Sequence, residues 1–549
     1  MTTNPPAGAS QGSERERAVL DSAHVGDIQG AFGTIGQHEG GRQGTRARAL
    51  ALLAIIGPGL IVMVGDNDAG GVATYSQAGQ NYGTSLLWVL LLLIPVLIVN
   101  QEMVVRLGAV TGVGHARLIN ERFGRFWGWF SVGDLFLLNF LTIVTEFIGV
   151  SLSLGYLGVS KYVAVPIAAA GLIAITASGS FRVWERSMFA FVFANVLVVP
   201  LFFMAHPQGG AIVHHFFVPG ILGGANSTSV LLIIAVVGTT VAPWQLFFQQ
   251  SNIIDKRITP RWINYERLDT WIGAVAVVLG GAALIAISAF AFQHTRYFGH
   301  FTDAGGSATD LGHVLGHVAG VFFAVVLLNA SLIGAGAVTL STSYAFGDVF
   351  GTKSSLHRSF AEAKTFYAIF TLLVAGAAAI VLIPGAPLGV ITVAVQALAG
   401  VLLPSATVFL LMLCNDREVL GPWRNPGWLN VLASIIVAIL VLLSLILMAT
   451  TVFPNINVTA VTLGGGIGLV IGLLAFGLLT LRARRGAAAV TVIEPISSVP
   501  KEQWTMPPLA LLARPQWSTN RKAAMLTLRL YLLISMILLV VKAVRLGGG

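Results

Sequence analysis

Twelve apolar runs fill most of the sequence, at roughly 49–79, 84–110, 130–157, 162–179, 186–205, 228–254, 268–293, 314–347, 362–384, 388–413, 428–453 and 459–481. Each is long enough to cross about 30 Å of hydrocarbon as a helix. Lipid offers the backbone no hydrogen-bond partner, so a chain built this way folds as an all-α integral membrane protein. Composition agrees: 55% of residues are apolar and 10% charged, against about 25% charged in soluble domains. A soluble fold is excluded, because its surface would carry too much apolar area. The net charge of +9 sits in short loops and forms no basic stripe, which speaks against nucleic-acid binding. Cys414 is the single cysteine, so no intramolecular disulfide can form.

Residues 1–48 are polar and Gly-rich, with no signal-peptide core, and are expected to be a disordered cytoplasmic tail. Residues 482–549 form a linker and a last apolar stretch at 523–541, either a thirteenth span or a helix lying in the interface. With the N-terminus inside, the internal loops carry fifteen Lys and Arg, whereas the external loops carry only Lys161 and Arg296. This asymmetry predicts a cytoplasmic N-terminus in a cell membrane.

Two spans are interrupted. The first reads GPGLIVMVGDNDAGGVATYSQAG over 57–79, and the sixth reads VVGTTVAPWQLFFQQSN over 236–252. Five spans separate the breaks. Broken helices at matching positions of two halves point to a transporter site at an inverted-repeat interface. The halves are then 49–205 (spans 1–5) and 228–413 (spans 6–10), with accessory spans 11 and 12 over 428–481. No residue-level identity links the halves, so position alone carries this inference.

Asp66 and Asp68 lie mid-membrane, where each charge costs about 2.5–3.5 kcal/mol. A cation would offset that cost, and Gly70 and Gly71 let the helix unwind and expose carbonyls. Carboxylates with carbonyls suit a hard divalent cation. The competing role is a cap on the second half-helix. Pro243 frees the carbonyl of Thr239, one turn earlier. Gln396 offers an amide oxygen to a metal or a bond to a neighbouring helix. Glu146 is a proton or accessory cation group by default. Asp134 and Glu102 lie nearer span ends, where solvated roles are expected. His313, His317 and Asp310 have transition-metal spacing, although interfacial loop histidines explain them as well. No phosphate loop, HExxH motif or nucleophile elbow is present, so the chain does not read as an enzyme.

The stretch GPGLIVMVGDNDAGGVAT resembles the first-helix pattern of the NRAMP family of divalent metal transporters, with the family's aspartate on Asp68, its proline on Ala69, its glycine on Gly70 and its asparagine on Gly71. GTTVAPWQLFFQQS resembles the family's sixth helix, its methionine falling on Ala242, its proline on Pro243 and its histidines on Trp244 and Gln249. TEFIG resembles the third helix, with the glutamate on Glu146 and the aspartate on Ile143. Gln396 matches the tenth-helix glutamine. The resemblance runs from about 49 to 425 and implies a LeuT-like fold of two inverted five-helix repeats plus additional C-terminal helices, 12–13 spans in all. It implies a metal site of Asp68, the Thr239 carbonyl and Gln396, lined by Gly70, Gly71, Ala242, Pro243 and Trp244; Asp66 has no counterpart in the family pattern and, two residues away in an unwound stretch, is expected to add a second carboxylate. No cofactor is implied beyond the transported cation.

The departures have chemical content. Gly71 and Ala242 replace an asparagine and a methionine, so the soft sulfur is gone and room is left for water. Mg²⁺ keeps its water and uses few protein ligands, and the pattern looks like the NRAMP-related magnesium branch. Loss of both histidines puts proton coupling in doubt. The function expected is import of a divalent cation, Mg²⁺ before Mn²⁺. The rivals are a proton-coupled Mn²⁺/Fe²⁺ symporter, a sodium-coupled organic-solute carrier of the same fold, and a sensor built on a transporter-like domain. Oligomeric state is not legible.

Overall fold

The computed structural model describes residues 21–37, 39, 44–384, 388–453, 456–486 and 500–512, and scattered positions between 525 and 537. Span 1 is three helices, α1 (Thr45–Ile55), α2 (Pro58–Val64) and α3 (Ala69–Tyr82). Spans 2 and 3 are α4 (Leu87–Thr111) and, after the short α5 (His115–Phe123), α6 (Arg125–Tyr156). Span 4 is α7 (Lys161–Ala177), and span 5 is α8 (Phe181–Ala194) with α9 (Val198–Met204). The short α10 (Gly209–Phe217) leads to span 6, α11 (Ser227–Thr240) with α12 (Pro243–Asp255). Then come α13 (Ile263–Phe292), the short α14 (Ala304–Leu315), α15 (His317–Phe350), α16 (Lys364–Leu382) and α17 (Leu388–Cys414). A turn of helix, α18 (Arg417–Leu420), precedes the accessory pair α19 (Gly427–Val452) and α20 (Val458–Gly486). Among the described residues ten helices are long and apolar enough to cross a membrane; α7, at 17 residues, is shorter, and α1 and α2 meet at a 53° bend.

The packing repeats with the halves exchanged. Span 1 packs on span 7 (α2 and α3 on α13), as span 6 packs on span 2 (α11 and α12 on α4). Span 3 lies along span 8, and its contact with span 10 is matched by that of span 8 with span 5. This is the inverted-repeat arrangement of a LeuT-like fold. Helices in lipid gain little from apolar burial against one another, so they approach where side chains are small. A Cβ on Gly238 of α11 would lie 2.0 Å from the Gln396 carbonyl oxygen, and one on Gly400 2.5 Å from the Ile234 carbonyl oxygen. Gly149 and Gly334 give α6 and α15 the same closeness around the break in span 1.

The N-terminal segment departs from the expected disordered tail. Ile28–Gly30 and Gly33–Ile35 form an antiparallel hairpin, β1 and β2. Arginines of α8 and of the turn after α12 hold this segment: Arg186 donates to the Ala31 carbonyl (2.9 Å), Arg182 to the Thr34 hydroxyl (2.6 Å) and Arg257 to the Ala23 carbonyl (2.9 Å). Arg358 grips Asp21 through both oxygens. Burial alone would raise the Asp21 carboxyl, but this guanidinium and the Ala23 amide hold it below the ordinary aspartate value. Residues 500–512, expected to be part of a linker, return to the bundle, where Trp423 donates to the Lys501 carbonyl (2.8 Å). Most of the 523–541 stretch lies outside the described residues.

Lys256, one of the fifteen charges assigned to inner loops, is fully buried. Its ammonium donates to Glu185 (2.6 Å) and to the carbonyls of Ile55 and Ile56 (2.7 and 2.8 Å), while Asp269 accepts from Gly57, Gly59 and Leu60 (3.0, 2.7 and 3.2 Å). Together they satisfy the last carbonyls of α1 and the first amides of α2, which the bend strips of partners. Gly57 sits at the bend with φ 153°, where a Cβ would lie 2.1 Å from Glu185 Oε1. Removing one partner of a buried pair leaves an uncompensated charge, so Lys256→Met should cost about 3–5 kcal/mol. A thermal melt in detergent reads that loss. Adding Glu185→Leu should recover part of it, and an unchanged melting temperature in the single variant would contradict the assignment.

Candidate functional site

The break in span 1 runs from Gly65 to Asp68. Its turns are held by i→i−3 bonds, from the Asp66 amide to the Met63 carbonyl (3.2 Å) and from the Asn67 amide to the Val64 carbonyl (3.1 Å). Asp68 is the N-cap of α3 and accepts from the Gly71 amide at 2.7 Å. Glu146 of α6 accepts from the Ala69 amide at 3.0 Å and lies within hydrogen-bonding reach of Asp68. Two carboxylates thus converge on the positive end of one helix. The capping role weighed for Asp68 is realised, although it occupies only one of its oxygens. Asp66 is 0% exposed, and among the described residues neither of its oxygens has a hydrogen-bond partner. Clustered carboxylates this deep need a cation or a shared proton between them.

Gln396, Thr239 and Trp244 gather at the same point. A Cβ on Gly70 would lie 1.7 Å from Gln396 Nε2, so the amide of α17 rests on the glycine backbone; that nitrogen has no partner among the described residues. Thr239 Oγ1 is 3.5 Å from the Asp66 carbonyl oxygen. The helical donor to the Thr239 carbonyl would be residue 243, which is proline and has no N–H, so that oxygen is free for a ligand. Span 6 breaks at Val241 and Ala242, the latter being the N-cap of α12 with no side-chain cap. Trp244 is fully buried, and its ring would touch a Cβ on Gly65 at 3.4 Å. The indole therefore closes over the α2 end of the break. On α15, Gly334 faces Asp68 and Glu146, where a Cβ would lie 2.9 Å from Asp68 Cβ and 2.6 Å from Glu146 Oε2.

Two expectations change. The room anticipated at Gly71 is taken: a Cβ there would lie 2.7 Å from the Asp66 carbonyl oxygen and 3.0 Å from Thr239 Oγ1. Asp134 is not a solvated span-end group. It lines a cavity of about 10 Å³ with Pro243, Ser131 and Ser405, and its buried Oδ1 has no partner among the described residues. The outer histidines bind their neighbours, His313 Nδ1 lying 3.2 Å from the Tyr297 hydroxyl and the His317 ring against Tyr156, while Asp310 accepts from Gln80. Among the described residues no group of three or more His, Cys, Asp or Glu has metal-holding geometry. Glu102 pairs with Arg106 and Arg267 at an end of α4. Sequence reasoning missed Gly334 and Gly149, since a glycine in an apolar span carries no signal until its neighbour is known.

Two broken spans meeting at buried carboxylates, inside an inverted repeat, are the architecture of a membrane transporter. Solved structures agree in fold: a crystal structure of the Eremococcus coleocola manganese transporter superposes with TM-score 0.62 over 81% of this chain and 98% of its own, at 20% identity. The profile of the Nramp family, natural resistance-associated macrophage protein-like, matches residues 59–450, and the chain belongs to that family. Relatives include the divalent metal cation transporter MntH of Bacillus subtilis, 26% identical over 73% of this chain and 93% of its own length. The MntH of Burkholderia ambifaria is 31% identical over 53% of this chain and 67% of its own.

Proposed function

We propose that this protein imports a divalent metal cation across the cell membrane by alternating access, with its N-terminus cytoplasmic, and that it prefers Mg²⁺ to Mn²⁺. The relatives named for divalent metal and manganese transport support the cation class. The preference rests on one observation, the chemistry of the donors. Asp66, Asp68, Glu146, Gln396 and the Thr239 carbonyl all offer oxygen, and Ala242 stands where the family pattern has methionine. Of the neighbouring sulfurs, Met63 packs on Gly273 of α13. Oxygen ligands suit a hard cation, whereas a thioether adds affinity only for softer ones. Mn²⁺ is the second reading, favoured by the manganese transporter of the same fold. Uptake by purified protein in liposomes, with Mg²⁺, Mn²⁺ and Ca²⁺ in competition, decides between them.

The same vesicles test coupling. Trp244 and Gln249 cannot carry a proton near neutral pH, and the Gln249 amide is spent on the Thr270 hydroxyl at 2.9 Å. A pH-sensitive dye inside the liposomes should show no stoichiometric acidification as metal enters. Acidification in step with the metal would hand the relay to Glu146 or Asp66.

A further inference from the structure

Beside the carboxylates, a second set of polar side chains ties the two broken spans together. Tyr75 lies one turn beyond Gly71 on α3, and residues so spaced share a helix face. That face meets the end of α11 twice. A Cβ on Gly71 would lie 3.0 Å from Thr239 Oγ1, and the Tyr75 hydroxyl lies 2.7 Å from Thr240 Oγ1. Thr240 donates its single hydroxyl proton to the Val236 carbonyl, at 2.6 Å. The Tyr75 hydroxyl is therefore the donor in its bond to Thr240. The ring is fully buried and seated on α13, where a Cβ on Gly281 would lie 3.0 Å from Tyr75 Cζ. From the other side, Gln245 Nε2 of α12 lies 3.5 Å from the Thr240 carbonyl oxygen, and Gln245 Oε1 accepts from Gln101 of α4 at 3.2 Å.

The two carbonyls at the end of α11 thus differ. That of Thr240 has the Gln245 amide, whereas that of Thr239 lacks its helical donor because residue 243 is proline. Thr240 adjoins the free carbonyl, and the Tyr75 bond fixes where it stands relative to α3, which Asp68 caps. We infer that Tyr75 is a positioning residue for transport: through Thr240 it holds the Thr239 carbonyl at the separation from Asp68 that a cation between the two requires. This role rests on the divalent-cation site proposed above. Tyr75 acts through Thr240 and not as a ligand. A carbonyl fixed before the ion arrives need not be ordered on binding, so the bond contributes to affinity for the ion.

The test is initial-rate uptake of Mg²⁺ and of Mn²⁺ by the full chain in liposomes, with KM and maximal rate measured separately beside a thermal melt of each preparation. Tyr75→Phe keeps the ring on Gly281, and Thr240 keeps its own bond to Val236, so the fold has little to lose. KM should rise about fivefold for both ions, the factor one neutral hydrogen bond supplies, with maximal rate unchanged, the pattern of lost binding. Thr240→Val should raise KM by a similar factor. The double variant should be no worse than either single one, because two residues that share one bond are not additive. Thr240→Ser, which retains the hydroxyl, should keep the wild-type KM. If Tyr75→Phe folds poorly, Thr240→Val against Thr240→Ser decides. A merely structural role predicts the opposite split, a lower melting temperature and maximal rate at the wild-type KM, and that result would overturn the inference. So would an unchanged KM in folded Tyr75→Phe, or additive effects in the double variant, and both leave the import of a divalent cation standing. Wild-type protein that takes up neither ion would overturn the import reading and this role with it.

Discussion

Asp68→Asn is expected to reduce metal uptake by about 100-fold or more, the scale of a charged contact worth about 3 kcal/mol, while the protein stays folded and inserted. The structure sharpens this expectation. Asp68 does two things at once, capping α3 through the Gly71 amide and offering charge to the site. Asparagine is as good an N-cap as aspartate, so the substitution removes the charge and keeps the cap. It should also ease insertion, since a mid-membrane carboxylate is costly. Uptake of radioactive or fluorescently detected metal in liposomes, beside a thermal melt of the same preparation, separates the two roles. Wild-type uptake in the variant would end the assignment of Asp68 as a ligand. Loss of both uptake and melting temperature would show that the Asp68 charge is needed to hold the fold, since the cap is retained.

Ala242→Met should move selectivity from Mg²⁺ towards Mn²⁺ and Cd²⁺, raising the Mn²⁺ to Mg²⁺ uptake ratio by about tenfold if the thioether adds about 1.4 kcal/mol for the softer ion. Residue 242 lies in the break of span 6, one residue before Pro243, and is buried. Gly71→Asn is the less informative partner. Its Cβ would displace the Asp66 carbonyl, which lies 2.7 Å from the position it would take. Any change in that variant would mix ligand chemistry with a moved backbone. The measurement is competition uptake, variant against wild type. A wild-type protein that already strongly prefers Mn²⁺ would overturn the magnesium preference and leave the family assignment intact. An unchanged ratio in an active Ala242→Met protein would mean that residue 242 does not face the ion.

The spans, the two breaks and the carboxylates were legible because each has a cost that belongs to one position. A run of apolar residues must be helical in lipid, a proline must free a carbonyl, and an aspartate at mid-depth must be compensated. Those costs hold whatever the neighbours are, so the sequence by itself determined the all-helical membrane architecture and singled out Asp66, Asp68, Glu146 and Gln396. The matching positions of the two breaks supplied the pairing of spans 1 and 6, and the resemblance to a family supplied the ligand set between them. Tertiary structure alone decided which side each group faces. Glu146 reaches the Ala69 amide across 77 residues of sequence, and Asn67 turns from its two aspartate neighbours towards α13. The N-terminal hairpin went unread for the same reason. Its strands are three residues long, and much of what holds it in place comes from Arg182 and Arg186 of α8 and from Arg257 and Arg358 on distant loops. Likewise Lys256 reads as a loop charge until Glu185 and two carbonyls of span 1 are seen around it. Contacts like these depend on where helices cross, and the crossings are set by glycines such as Gly149, Gly238 and Gly334, whose meaning lies wholly in the atoms that approach them.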